Sequence, residues 1–196
     1  VYVNTGASLT TTSSVFTNNQ ATTSGYGGAV YLMGGTSLTM TSTTMSSNAG
    51  WNGGGAIYAS STNTVRLYSC TVTSNVAGAG SSGGMWVGAA TSLIMEDTVM
   101  SSNTASTFAG GMQTDSAVTM QALRCTFQWN TATSGTAGAL YLGANSVNTI
   151  TDCLIDENTA SSHGAGVWMG STATATMSGT TFSNNIGYYG GGVYTS

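Results

Sequence analysis

Charge is what this chain most lacks. Asp, Glu, Lys and Arg together make up 4% of its 196 residues, and Lys and Pro are absent altogether. Roughly a quarter of a typical soluble domain is charged, so a self-repelling charged exterior is excluded here. Ser, Thr, Asn and Gly supply the polarity instead, a neutral surface suited to an extracellular setting. With Arg66 and Arg124 as the only fixed cations and a net charge of −4, a run of phosphates cannot be neutralised. Nucleic acid is thereby excluded as a partner, and anionic membranes are disfavoured. No apolar run approaches the ~18 residues of a membrane span, and no basic stretch before an apolar one marks a signal peptide. A secretion signal is therefore expected outside this segment.

What the chain does have is repetition. An apolar residue stands three positions before an Asn in seven places: Phe16 before Asn19, Met45 before Asn48, Val72 before Asn75, Met100 before Asn103, Phe127 before Asn130, Ile155 before Asn158 and Phe182 before Asn185. Successive Asn residues are 27 to 29 apart. A second landmark is a pair of small residues opening an apolar segment: Gly28-Ala29, Gly55-Ala56, Gly83-Gly84, Gly110-Gly111, Gly138-Ala139, Ala165-Gly166 and Gly191-Gly192. Each pair keeps a fixed distance to the following Asn, so length varies only just after each Asn. Between landmarks, segments such as Ser37-Leu38-Thr39-Met40-Thr41 alternate at period two, and no window carries a helical stripe. Self-similarity at this period is the mark of a solenoid. The expected fold is all-β, a right-handed parallel β-helix of seven coils of about 28 residues. It forms one domain over 1–196, with two or three short strands per coil.

Aligned on the Asn, residues of equal phase become spatial columns. Leu9, Leu38, Val65, Leu93, Met120, Asn148 and Ala175 form one, mostly apolar and thus inward. The Asn column is expected to be structural, passing amide hydrogen bonds from coil to coil. The small pairs are expected to supply tight or left-handed backbone. Cys70, Cys125 and Cys153 share a column with Ser and Thr and read as buried thiols, although adjacent coils would bring Cys125 and Cys153 within reach of a disulfide. Asp97, Arg124 and Asp152 share another and predict a carboxylate, guanidinium, carboxylate sandwich.

After each small pair, apolar columns flank one reading Tyr2, Tyr31, Tyr58, Trp86, Gln113, Tyr141, Trp168 and Tyr194. Alternation turns that column outward, giving an exposed aromatic stripe suited to sugar rings, to a protein partner or to neighbouring copies of the rod, or to stacking ring on ring. Thr-x-Thr pairs such as Thr39 and Thr41 resemble the ice-binding face of β-helical antifreeze proteins, interrupted here by Arg66, Ile94 and Gln121 and their neighbours. For enzymatic chemistry only Asp156, Glu157 and His163 cluster in sequence, and a solvated polar corner explains them. No catalytic residue, metal or cofactor is expected.

The two landmarks together resemble the repeats of chlamydial polymorphic outer-membrane proteins, whose passenger regions repeat GGA followed by Ile, Leu or Val, and Phe-x-x-Asn. The matching residues are Gly27-Gly28-Ala29-Val30, Gly54-Gly55-Ala56-Ile57, Phe16 to Asn19, Phe127 to Asn130 and Phe182 to Asn185. The resemblance implies a surface-displayed adhesin or structural element. Val1-Tyr2 shares its phase with Val193-Tyr194, which leads us to expect a slice of a longer array or a unit that stacks into filaments.

Overall fold

The alternating segments between the landmarks do become strands, because β-branched and aromatic residues sit at period two and positive-φ corners end each run. The computed structural model describes all residues, Val1–Ser196. One coil shows the pattern: strands at Val30–Leu32, Ser37–Thr41, Thr44–Ser46 and Ala49–Gly50. Each pairs in parallel with its counterpart one coil before and after. Four sheets result, of eight, seven, seven and six strands, which we call the first to fourth faces in that chain order. The expected two or three strands per coil are thus four, since a two-residue strand follows each of the first six landmark Asn residues.

Register follows phase without a slip. Val65 opposes Leu38 and Leu93, Leu93 opposes Met120, Met120 opposes Asn148, and Asn148 opposes Ala175. The inward columns merge into one core of 32 buried residues running the length of the rod. Burying Leu38, Met40, Met45, Ile57, Leu67 and Met85 completely stabilises the fold by about 1.5–3 kcal/mol for each such side chain.

The corners depend on left-handed backbone, and in phase. Seven residues between the second and third faces, including Ser42, Asp97, Arg124 and Asp152, have φ of 47–60°. Seven more immediately before each landmark Asn, including Ser74, Trp129 and Glu157, have φ of 51–57°. A third set between the first and second faces runs from Gly6 and Gly35 through Ala90 and Ala117 to Thr172, at 55–76°. Each left-handed residue swings the chain from one face to the next. The small pairs, by contrast, are not the left-handed positions. The Gly before the pair is (Gly27, Gly54, Gly164, Gly190, at 56–62°). The pairs are small because the coils approach closely: a Cβ at Gly28 would lie 2.3 Å from the Gly55 carbonyl oxygen.

The Asn column is a continuous ladder, buried from Asn48 to Asn158. From Asn19 to Asn158, both the backbone N–H and Nδ2 donate to Oδ1 of the next landmark Asn at 2.9–3.1 Å. From Asn48 onward, Nδ2 also donates to the carbonyl three residues before the preceding Asn, as in Asn75 to Met45 and Asn103 to Val72. Each interior carboxamide therefore uses both donors and accepts twice, and no other side chain of that size offers the same set.

Two shorter polar ladders run beside it. The Cys column is one. Cys125 N–H donates to Cys153 Sγ at 3.3 Å, and Cys70 N–H to Thr98 Oγ1 at 3.3 Å, so thiols do the hydroxyls' work there. All three cysteines are free and buried. The other ladder passes from Thr36 to Asn63 and Thr91 and ends where Val118 takes the phase. Asn148 stands in an apolar core column, its Nδ2 bonded to Ser146 Oγ and the Thr174 carbonyl and its Oδ1 without a partner.

Candidate functional site

The outward column of the first face forms an aromatic ladder. Tyr2 and Tyr31 stack with centroids 5.2 Å apart, as do Tyr31 and Tyr58; Tyr58 and Trp86 are 4.4 Å apart, and Tyr141 and Trp168 4.2 Å. The planes in these pairs lie within 4–14° of parallel. In-register strands place the rings one above another, so the ladder is a direct product of the repeat. From Tyr31 on, the stripe is half-buried rather than freely exposed, because stacked rings cover one another's faces, whereas Tyr2 at its end is exposed. Burial pushes the Tyr58 hydroxyl up to about 12, helped by Tyr26, Tyr31 and Asp115. It raises Tyr31 and Tyr141 as well.

Gln113 breaks the ladder into two stacks, and its Oε1 is buried without a hydrogen-bond partner. Aromatic residues of the preceding loops pack on the stripe from the side. Tyr26 lies tilted by 50–53° against Tyr31 and Tyr58, and Phe108 meets Tyr141 edge-on, at 78°. His163 stacks on Tyr189 and packs against Tyr194. The second row does not stand out in the sequence, because Gly53, Ser81 and Thr136 share its phase and interrupt the aromatic residues.

Most of the charged side chains engage local partners. Arg124 Nε donates to Asp97 Oδ1 at 2.7 Å and Nη2 to Asp97 Oδ2 at 2.9 Å, with a further bond to Glu96. The hydrogen bond from Arg124 holds the exposed Asp97 carboxyl below its ordinary range. Asp152 is not the second partner that the column predicted. Its carboxylate leans toward the next coil, into space that a Cβ on Gly179 would fill, and Glu96 takes the other side of the guanidinium.

Asp156 accepts from Ser183 Oγ at 2.6 Å, Asn184 Nδ2 at 3.0 Å and Gln128 Nε2 at 2.8 Å. Those bonds, that from Ser183 foremost, hold its carboxyl below the ordinary range. Glu157 accepts from the Trp129 indole, and Ser162 shares a hydrogen bond with His163 Nδ1. The three residues that cluster in sequence are thus engaged separately, and no three His, Cys, Asp or Glu side chains come together as a metal-binding group. The single surface depression, lined by Phe182, Ser183, Asn184, Asn185 and Gly192, contains no charged residue.

Side chains organised along columns rather than around a pocket define a parallel β-solenoid. More specifically, the chain belongs to the right-handed β-helix family, whose family model, a right handed beta helix region, matches residues 1–151. No curated protein and no solved structure matched the chain.

Proposed function

We propose that this β-helix is a non-enzymatic structural or adhesive rod of an extracellular surface protein, of the kind the chlamydial passenger repeats exemplify. The observation that carries the reading is the aromatic ladder of the first face, a file of aligned rings along the outside of the rod. The separately engaged acids support it, since a uronate-cleaving centre needs convergent carboxylates and a cation beside the substrate. The hydroxyl-rich exterior supports surface display. No helix is long and apolar enough to cross a membrane. Ice binding is the weaker reading: Thr10 opposes Thr39 and Thr149 opposes Thr176, but Arg66, Ile94 and Gln121 stand between these pairs.

The test is a binding array of glycans and matrix proteins probed with the labelled chain, run beside an assay for new reducing ends on polygalacturonate. Retention on the array without cleavage is expected. Cleavage that disappears in Asp156→Ala would overturn the non-enzymatic half, and an array with no retained signal would overturn the adhesive half.

A further inference from the structure

In the stacked ladder the ring faces cover one another, so a ligand meets mainly ring edges there. The second row packs differently: Tyr26 and Phe108 lie tilted or edge-on to the ladder rings, and Tyr189 lays one face on His163 and meets Tyr188 at a steep angle. Tyr26, Gly53, Ser81, Phe108, Thr136, His163 and Tyr189 each stand two residues before a small pair. Phenyl or phenol rings thus recur every third coil, at Tyr26, Phe108 and Tyr189, a step of roughly 14 Å at ~4.8 Å per coil, with the His163 imidazole in the coil before Tyr189. Tyr26 and Phe108 are each 40% exposed and Tyr189 54%. Tyr26 and Phe108 are turned out of the plane of the ladder rings they touch.

We propose that this line, at the junction of the fourth and first faces, binds a linear neutral polysaccharide laid along the rod, with Tyr26, Phe108 and Tyr189 each packing against the apolar face of a sugar ring. The proposal rests on the adhesive reading and names its partner and surface.

Chemistry selects the occupant. The row carries no carboxylate and no fixed cation; Arg66 projects from the second face and Arg124 from the corner beyond it. A uronan or a phosphorylated glycan would find no counter-charge there, whereas a neutral sugar needs none. Between Tyr26 and Phe108 the row holds Gly53 and Ser81, small residues that leave room for a chain's hydroxyl rim; beyond Phe108 come Thr136 and then His163, whose ring stacks on Tyr189. Three separated rings do not make the contiguous apolar patch of the order of 800 Å² per partner on which a stable protein interface depends.

Affinity electrophoresis of the intact chain through gels containing a neutral β-glucan, a mannan or polygalacturonate tests this. Retardation by a neutral polymer and not by polygalacturonate is expected. Phe108→Ala and Tyr26→Ala should each weaken it roughly fivefold, on the scale of one lost ring contact. Trp129→Ala, at an exposed ring on another corner, should leave it unchanged, and circular dichroism should show every variant folded. Retardation by the neutral polymer that survives the triple variant Tyr26→Ala, Phe108→Ala, Tyr189→Ala would overturn the assignment of this surface while leaving the adhesive reading intact. Preferential binding of the uronan would overturn the neutral-ligand assignment, and concentration-dependent dimers abolished by the triple variant would reassign the line to a second copy of the rod. No retention on any polymer, together with a blank array, would remove both proposals.

Discussion

Asn103 Nδ2 donates to Asn130 Oδ1 at 3.0 Å while Asn103 Oδ1 accepts twice from Asn75, so this buried carboxamide joins three successive coils. Replacing it with Ala removes its own bonds and strands the Asn75 donors in a dry corner. At about 1–3 kcal/mol for each buried group left unpaired, Asn103→Ala should cost at least 3 kcal/mol in urea unfolding. Asn19 is exposed and accepts from no earlier landmark, so Asn19→Ala should cost clearly less. Equal losses at the two sites would remove the ladder as the source of the effect.

Ala117 is exposed and left-handed, with φ of 56°. The strain of an L-residue there exceeds the extra chain entropy that glycine loses on folding. Ala117→Gly should therefore raise stability, by up to about 1 kcal/mol, whereas the same exchange at Ala122, inside a strand, should lower it. Denaturation midpoints of the two variants decide the matter.

The Cys column tolerates hydroxyls, since Thr43 and Thr98 already occupy it. Cys125→Ser should fold normally and unfold within about 1 kcal/mol of the parent, whereas Cys125→Leu should overpack the corner and cost more. The shared hydrogen bond with Cys153, together with burial, pushes the Cys125 thiol up. Burial likewise raises Cys70. A thiol reagent should accordingly label these two slowly in the native rod and all three cysteines rapidly in denaturant. Fast native labelling of Cys125 would contradict its placement.

Asp97 provides a test of the corrected ion pair. Its carboxyl lies below the ordinary range in the folded rod, so its contribution to stability is present above about pH 4 and is lost as pH falls through the depressed value. Arg124→Gln should bring the Asp97 carboxyl midpoint in an NMR titration back up toward ordinary values. Asp152→Asn should leave it where it is, and a large shift there would restore the sandwich.

Tyr58 shows the opposite sign. Its hydroxyl is raised to about 12, so the stability linked to it is intact below about pH 10 and is lost as pH climbs through 12. Spectrophotometric titration should show late-ionising phenols, of which the one titrating at about 12 vanishes in Tyr58→Phe. An unchanged curve would mean that the ladder ring is solvated.

How much of this was legible beforehand follows from what repeats. The Asn column, the core columns and the aromatic file recur at constant phase, and constant phase survives projection onto a line of letters. The fourth strand, as at Val76–Ala77, is two residues long, too short to show alternation. The left-handed corners are written in Ser, Asp, Arg and Trp as readily as in Gly, because position within the coil sets the backbone there and no residue type announces it. Asp152 shares the phase of Arg124, yet phase says nothing about which way a carboxylate leans; the bare Gly179 below it decides that. Tyr26, Phe108 and Tyr189 also hold constant phase, but Gly53, Ser81 and Thr136 share it, so no aromatic file stands out there.

The constant spacing from small pair to Asn also governs how the rod can change. A segment of unvarying length ties every small pair to the next landmark Asn, and each Asn offers its successor the same pair of donors. One complete turn excised or copied at matching phase would leave the Asn ladder joined by the same donors and acceptor across the seam. Rods of different reach could then be made from one surface pattern by counting turns, with no residue redesigned.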